Sequence, residues 1–206
     1  EKAELFSEIG TIVATACLAH DLGNPPFGHS GENAIGTFFS ERKGQEYRKV
    51  LNISDEKWRD LEMFEGNANT FRLLTHTFEG RRSGGFVFTY PTLASIVKYP
   101  YQSVCADSGK QKFGFFVSDK PSYERIANDL GIARDAQNPE RYVRYPLVYI
   151  VEAADDICYE LMDIEDAFKL KIISYDDTVS LLMGYLDETR RQRAKTVFSR
   201  VEDPNE

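Results

Sequence analysis

His20 and Asp21 stand side by side at the end of an apolar helical pattern, where both side chains can reach one cation. A neutral imidazole and a carboxylate suit a borderline or hard divalent ion. The string runs on as Leu22-Gly23-Asn24-Pro25-Pro26-Phe27-Gly28-His29-Ser30-Gly31-Glu32. Its glycines and prolines make a stiff loop that can hold His29 and Glu32 near the same ion. A bare His-Asp dipeptide is also what chance places at a helix end. The whole string is what points to chemistry.

A second segment, Glu152-Ala153-Ala154-Asp155-Asp156-Ile157-Cys158-Tyr159-Glu160-Leu161-Met162-Asp163, carries the other candidate groups. In a helix, Asp155, Tyr159 and Asp163 fall at i, i+4 and i+8, on one stripe. Burying carboxylates is costly unless they meet a cation or hydrogen-bond donors. A solvated helix face is the plain alternative. Ala153, Ala154, Ile157 and Cys158 offer a packing surface beside the stripe and favour a cleft wall.

The elements that must position these groups are helical. Leu5, Ile9, Ile12, Val13, Ala16, Cys17 and His20 recur at helical spacing, and Gly23 with Pro25-Pro26 ends that helix. A short helix is expected to start near Glu32. Ser54-Asp55-Glu56 opens another, a cap followed by acids, which carries to Leu74 in one or two pieces. Gly80 to Tyr90 is the one place for a short β hairpin. Pro91-Thr92 begins a helix that stops before Pro100, residues 101–114 read as an exposed loop, and Ser118 to Gly131 as a short helix. Pro146 to about Lys171 is the longest helical candidate. Ser174-Tyr175-Asp176-Asp177 has capping-box spacing, with Asp in place of the usual Glu, and opens a final helix that frays after Arg190. The expected class is all-α, with at most a small β hairpin.

Bulk properties narrow the function. The 206 residues are 42% hydrophobic, enough for one sizeable domain. The net charge of −8 argues against nonspecific coating of nucleic acid, which is not indicated, while leaving room for a local basic pocket. The three cysteines, Cys17, Cys105 and Cys158, show no paired spacing; Cys17 and Cys158 read as buried small residues, consistent with a reducing cytoplasm. No membrane span or secretory signal is visible.

Taken in order, HDLGNPPFGHSGE (His20–Glu32), FEGNA (Phe64–Ala68), KFGFF (Lys112–Phe116) and EAADDICY (Glu152–Tyr159) resemble the bacterial dGTP triphosphohydrolase family of HD-domain phosphohydrolases. The resemblance covers about residues 5 to 170. It implies an HD helical-bundle core over residues 1–170, with a further helical region starting at 171–206. It implies a divalent metal, Mg or Mn, held by an upstream His, by His20 and Asp21, and by a distant Asp, here Asp155 with Asp156 as the competitor. No His precedes His20, so the chain is expected to start downstream of that fourth ligand. By the same resemblance His29 and Glu32 form the catalytic pair, the imidazole moving a proton and the carboxylate fixing its tautomer. Some relatives place a second His where Gly66 stands. Lys112 matches a lysine that meets the substrate triphosphate, Tyr159 and Asp163 residues that meet the deoxyribose, and Arg144 a further pocket residue. The implied activity is hydrolysis of a deoxynucleoside triphosphate, dGTP preferred, to deoxynucleoside and tripolyphosphate by a cytoplasmic homo-oligomer. The alternatives are an HD phosphodiesterase or nucleotidase, and a dNTP-binding regulatory subunit without turnover.

Overall fold

The computed structural model describes residues 2–80, 84–107 and 109–198. Ten α-helices lie among them: α1 Lys2–Ala19, α2 His29–Ser40, α3 Arg42–Leu51, α4 Asp55–Glu62, α5 Gly66–Thr75, α6 Tyr90–Ile96, α7 Lys120–Asp129, α8 Pro146–Lys169, α9 Tyr175–Gly184 and α10 Glu188–Phe198. The class is all-α as expected. The one β feature among the described residues is an isolated bridge between Arg134 and Tyr142.

The chain divides into two compact units, Glu1–Glu152 and Ala153–Glu206, the division falling inside α8. In the first unit, α1 packs along α6, α6 also meets α5 and α7, and α2 rests on α3 and α4. Its core joins Ala16 and Ala19 of α1, Phe71 and Leu74 of α5, Leu93 and Ala94 of α6, Tyr123 and Ile126 of α7, and Val151 at the start of α8. Phe115 stacks on Tyr123 with ring centroids 4.6 Å apart, so the KFGFF string is built into this core. In the second unit, Ser174 and Asp177 close the reciprocal capping box expected at the start of α9. Among the described residues of that unit, Thr178 alone is buried.

Four local expectations are corrected. Residues 84–86 form a turn rather than half of a hairpin; Phe86 N–H bonds the Leu74 carbonyl at the end of α5, and residues 81–83 of the expected hairpin lie outside the described residues. Residues 101–114 are not simply an exposed loop, because Gln102, Ser103 and Phe113 are buried. Cys158 is exposed, since it falls in the unit that buries almost nothing, while Cys17 is part-buried. The chain continues as helix past Arg190 through α10.

Candidate active site

The C-terminus of α1 is fixed by α5. Thr70 is fully buried, and its hydroxyl donates to the His20 carbonyl at 2.8 Å while accepting the Gly23 N–H at 2.9 Å. The Asn69 amide donates to the Gly23 carbonyl at 2.8 Å. Gly23 is required here: a Cβ would lie 2.0 Å from the Thr70 backbone nitrogen. The chain therefore leaves α1 in one fixed direction, with His20 and Asp21 on the turn.

His20 Nδ1–H donates to the Cys17 carbonyl at 2.7 Å. That bond leaves the lone pair of the neutral ring on Nε2, which lies 3.5 Å from Asp21 Oδ1. A nitrogen lone pair and a carboxylate oxygen at this spacing fit a divalent cation, with the backbone carbonyl as the outer partner that ligating histidines use. Among the described residues of the first unit, no group of three or more His, Cys, Asp or Glu side chains is gathered for an ion. Asp155, Tyr159 and Asp163 lie on the continuous helix α8, at the spacing that puts them on one stripe, and belong to the second unit.

Past the two prolines the backbone turns through Phe27 (φ 67°) and Gly28 (φ 54°) and launches α2 at His29, three residues earlier than the sequence suggests. An aromatic residue at positive φ is strained, on the order of 1–3 kcal/mol, so this turn is held by its surroundings. His29 and Glu32 thus share the first turn of a helix. Their geometry is asymmetric: the imidazole is 80% exposed and the carboxylate only 10%. Glu32 Oε2 accepts from His29 Nδ1 at 2.8 Å, and Oε1 accepts the Gly66 N–H at 2.7 Å. Burial alone would push the Glu32 carboxyl up. The Gly66 N–H, the His29 bond and the charge of Lys112 outweigh it and hold the group below its ordinary value. An ionised Glu32 can only accept, so His29 carries its proton on Nδ1 and turns the basic Nε2 outward.

Gly66 explains the FEGNA string. A Cβ at this position would lie 2.2 Å from Asn24 Oδ1 and 3.0 Å from Glu32 Oε1, so any larger residue must push the Asn24 side chain aside and crowd the Glu32 carboxylate. Its neighbour Glu65 is fully buried and caps α5 by accepting from Asn67 N–H at 2.7 Å and Ala68 N–H at 3.2 Å. Lys112 Nζ donates to Glu65 Oε1 at 2.9 Å and stands 3.8 Å from Glu32 Oε2. Burial would lower the Lys112 pKa, but its two carboxylate partners raise it, so the ammonium stays charged.

Lys112 also lines a cavity of about 490 Å³, together with Lys98, Lys110, Arg141, Arg144 and the rings of Tyr99, Tyr101, Tyr142 and Tyr149. Five cations and two carboxylates, Asp107 and Asp135, border it, so this acidic chain carries a locally positive hollow. Glu152 holds two of the cations, Lys98 Nζ at 2.7 Å and Arg144 at 3.0 Å, and Arg144 lies over the Tyr99 ring.

No family model matches the chain. Among curated proteins, it is 44% identical over 193 residues to a deoxyguanosinetriphosphate triphosphohydrolase-like protein of Pseudomonas aeruginosa, covering 90% of this chain and 43% of that protein. It is 38% identical over 189 residues to one from Synechocystis, covering 88% and 43%. With the deoxyguanosinetriphosphate triphosphohydrolase of Yersinia pseudotuberculosis it shares 34% identity over 203 residues, 84% of this chain and 38% of that one. The chain belongs to the dGTP triphosphohydrolase-like family. It spans about two-fifths of the length of these relatives.

Within this dGTP triphosphohydrolase-like chain, three strings singled out in the sequence interlock in the first unit. HDLGNPPFGHSGE supplies His29 and Glu32, FEGNA supplies the Gly66 N–H and Glu65, and KFGFF supplies Lys112. Arg144 joins Lys112 at the cavity. Sequence reasoning missed Glu65 and Glu152 as functional groups. Both sit inside the quoted strings, and their signal was position within a string rather than residue type.

Proposed function

We propose that this chain carries the active site of a metal-dependent triphosphohydrolase that cleaves deoxynucleoside triphosphates, dGTP preferred, to deoxynucleoside and tripolyphosphate. The observation that carries the reading is the His29–Glu32 pair, whose buried carboxylate is fixed from the far side by the Gly66 N–H, next to a lysine bordering a cationic cavity. The names of the curated relatives supply the substrate class.

The residues divide the work. The cations of the cavity, Lys112 and Arg144 among them, neutralise the phosphate tail and orient the α-phosphorus. His29 Nε2 accepts the proton of the attacking water and returns one to the leaving 5′-oxygen. Glu32 holds the productive tautomer and stabilises the imidazolium, a contribution of roughly 10²–10⁴-fold in rate. The family resemblance assigns the ion, Mg or Mn, to His20, Asp21 and Asp155. When bound, it polarises the phosphate oxygen and acidifies water. By the family resemblance, Tyr159 would lie beneath the sugar and exclude a 2′-hydroxyl, and Asp163 would accept from the 3′-hydroxyl.

Incubating the protein with each of the four dNTPs and with GTP in the presence of Mn²⁺, and separating nucleosides by chromatography, tests the reading. Deoxynucleoside release without ribonucleoside release is the expected result. Hydrolysis of cyclic dinucleotides or monophosphates instead would favour a phosphodiesterase.

A further inference from the structure

Lys112 lies on a loop, and the loop is closed on one buried carboxylate that neither the chemistry nor the cavity uses. Asp60 of α4 is 5% exposed. Its Oδ1 accepts from Ser103 Oγ at 2.6 Å, and its Oδ2 accepts from Val117 N–H at 2.7 Å. Ser103 and Val117 are the two ends of the segment that carries Asp107, Lys110 and Lys112 along the cavity wall. Ser103 is itself fully buried. The same end is held again by Arg59, whose Nε–H donates to the Ser103 carbonyl at 3.3 Å. At the other end Asp119 is taken by Arg72 of α5, with contacts of 3.1 and 3.3 Å. Between the ends, Phe113 and Phe116 pack on Ala68 of the same helix.

We propose that Asp60 is a positioning residue: its carboxylate ties both ends of the 103–117 segment to α4 and thereby aims Lys112 at the substrate's phosphate tail. This rests on the triphosphohydrolase reading above. The physical argument is cost. A buried carboxylate is expensive, and an apolar side chain of the same size would fill the site without that penalty. What the carboxylate supplies, and an apolar side chain cannot, is two hydrogen-bonding atoms at one point, and both are spent on the two ends of one loop. The lysine is a flexible point charge on a long stem, so its reach is set by where its backbone is held.

Three variants of the full protein separate this from a merely structural role. Asp60→Asn retains the tie, because the amide oxygen accepts from Val117 N–H and the amide nitrogen donates to Ser103 Oγ; it should bind tripolyphosphate as the wild type does. Asp60→Ala removes both bonds and should weaken tripolyphosphate binding, measured by calorimetry, about tenfold or more. Ser103→Ala removes one end, should weaken it about threefold, and carries the test if Asp60→Ala does not fold. In a Lys112→Ala background, Asp60→Ala and Ser103→Ala should cost no further affinity, since they act through that lysine. Trypsin should cut after Lys110 faster in Asp60→Ala and Ser103→Ala than in the wild type. Wild-type binding in the alanine variants, an equal loss in the Lys112→Ala background, or unchanged trypsin cleavage would overturn the proposal. A wild-type protein that ignores tripolyphosphate sinks the substrate reading instead, and the cleavage rates then decide the tie by themselves.

Discussion

Replacing Glu32 by Gln exchanges one carboxylate oxygen for an amide NH₂ and should disable the proton relay while sparing the fold. The Gly66 N–H needs an acceptor at the Oε1 position, so the amide oxygen goes there and the NH₂ replaces Oε2 opposite His29 Nδ1. An NH₂ can only donate. His29 must then accept on Nδ1 and carry its proton on Nε2, the nitrogen that faces outward and has to be basic. Turning the amide over restores the tautomer but leaves the Gly66 N–H facing another donor, at about 1–3 kcal/mol. That alone lowers the productive population by about 5–150-fold. Losing the ionised partner of the imidazolium adds a charge-assisted hydrogen bond of about 1.5–3 kcal/mol, discounted because His29 is mostly exposed. The sum falls within the range of about 10²–10⁴-fold expected for acid–base catalysis. Steady-state kinetics with dGTP and Mn²⁺ should show kcat lowered by about 10²–10³-fold. KM should stay within about threefold, because Glu32 touches no phosphate in this scheme. A kcat within threefold of wild type, with normal melting, would refute the assignment of His29–Glu32 as the base.

Gly66→Ala should lower kcat about tenfold with little change in Tm, because the new methyl displaces the Asn24 amide, a movable side chain, and disturbs the Glu32 anchor. Thr70→Val keeps the shape but orphans the Gly23 N–H and removes a donor from the His20 carbonyl; denaturant unfolding should show a loss of about 2–4 kcal/mol. The pH dependence of stability has opposite signs at two carboxylates. Burial pushes Asp60 up to about 6, the Ser103 and Val117 bonds and Arg72 only partly countering it and Asp119 adding to it, so the folded state binds its proton before the unfolded state does. Stability from this group therefore falls as pH rises from about 4 to about 6, by on the order of 3 kcal/mol, and Asp60→Asn should abolish that slope in melts across this range. Glu32 is depressed, so its contribution is present above its unfolded pKa and is lost as pH falls through the lowered folded value; Glu32→Gln should remove that acid-side loss.

How far the sequence could be read depended on whether a residue's role follows from its neighbours in the chain. The spacing from Leu5 to His20 places α1, and the Ser174 box places α9, because an apolar stripe and a cap are local patterns. Helix α3 went unread: its Arg, Lys, Gln and Glu leave no apolar stripe, and Gly44 is its one buried residue. The loop at 101–114 looked exposed for its polar composition, yet Ser103 and Phe113 are buried by contacts with α4 and α5 from far along the chain. The pairing of His29 with Glu32 was legible through the resemblance that the string carries. Their tautomer and ionisation were not, because they depend on Gly66 and Lys112 arriving from other elements. Asp60, Glu65 and Glu152 look like any surface acid until burial and partners are known.

The most direct test of the central claim is to run the reaction with dGTP and Mn²⁺ in water enriched in ¹⁸O and to follow the products by ³¹P NMR. Attack of water on the α-phosphorus predicts deoxyguanosine free of label and a single tripolyphosphate bearing one ¹⁸O on a terminal phosphoryl group, with no product once the metal is chelated. Orthophosphate or pyrophosphate as the first product, label in the nucleoside, or no turnover of any dNTP would contradict it.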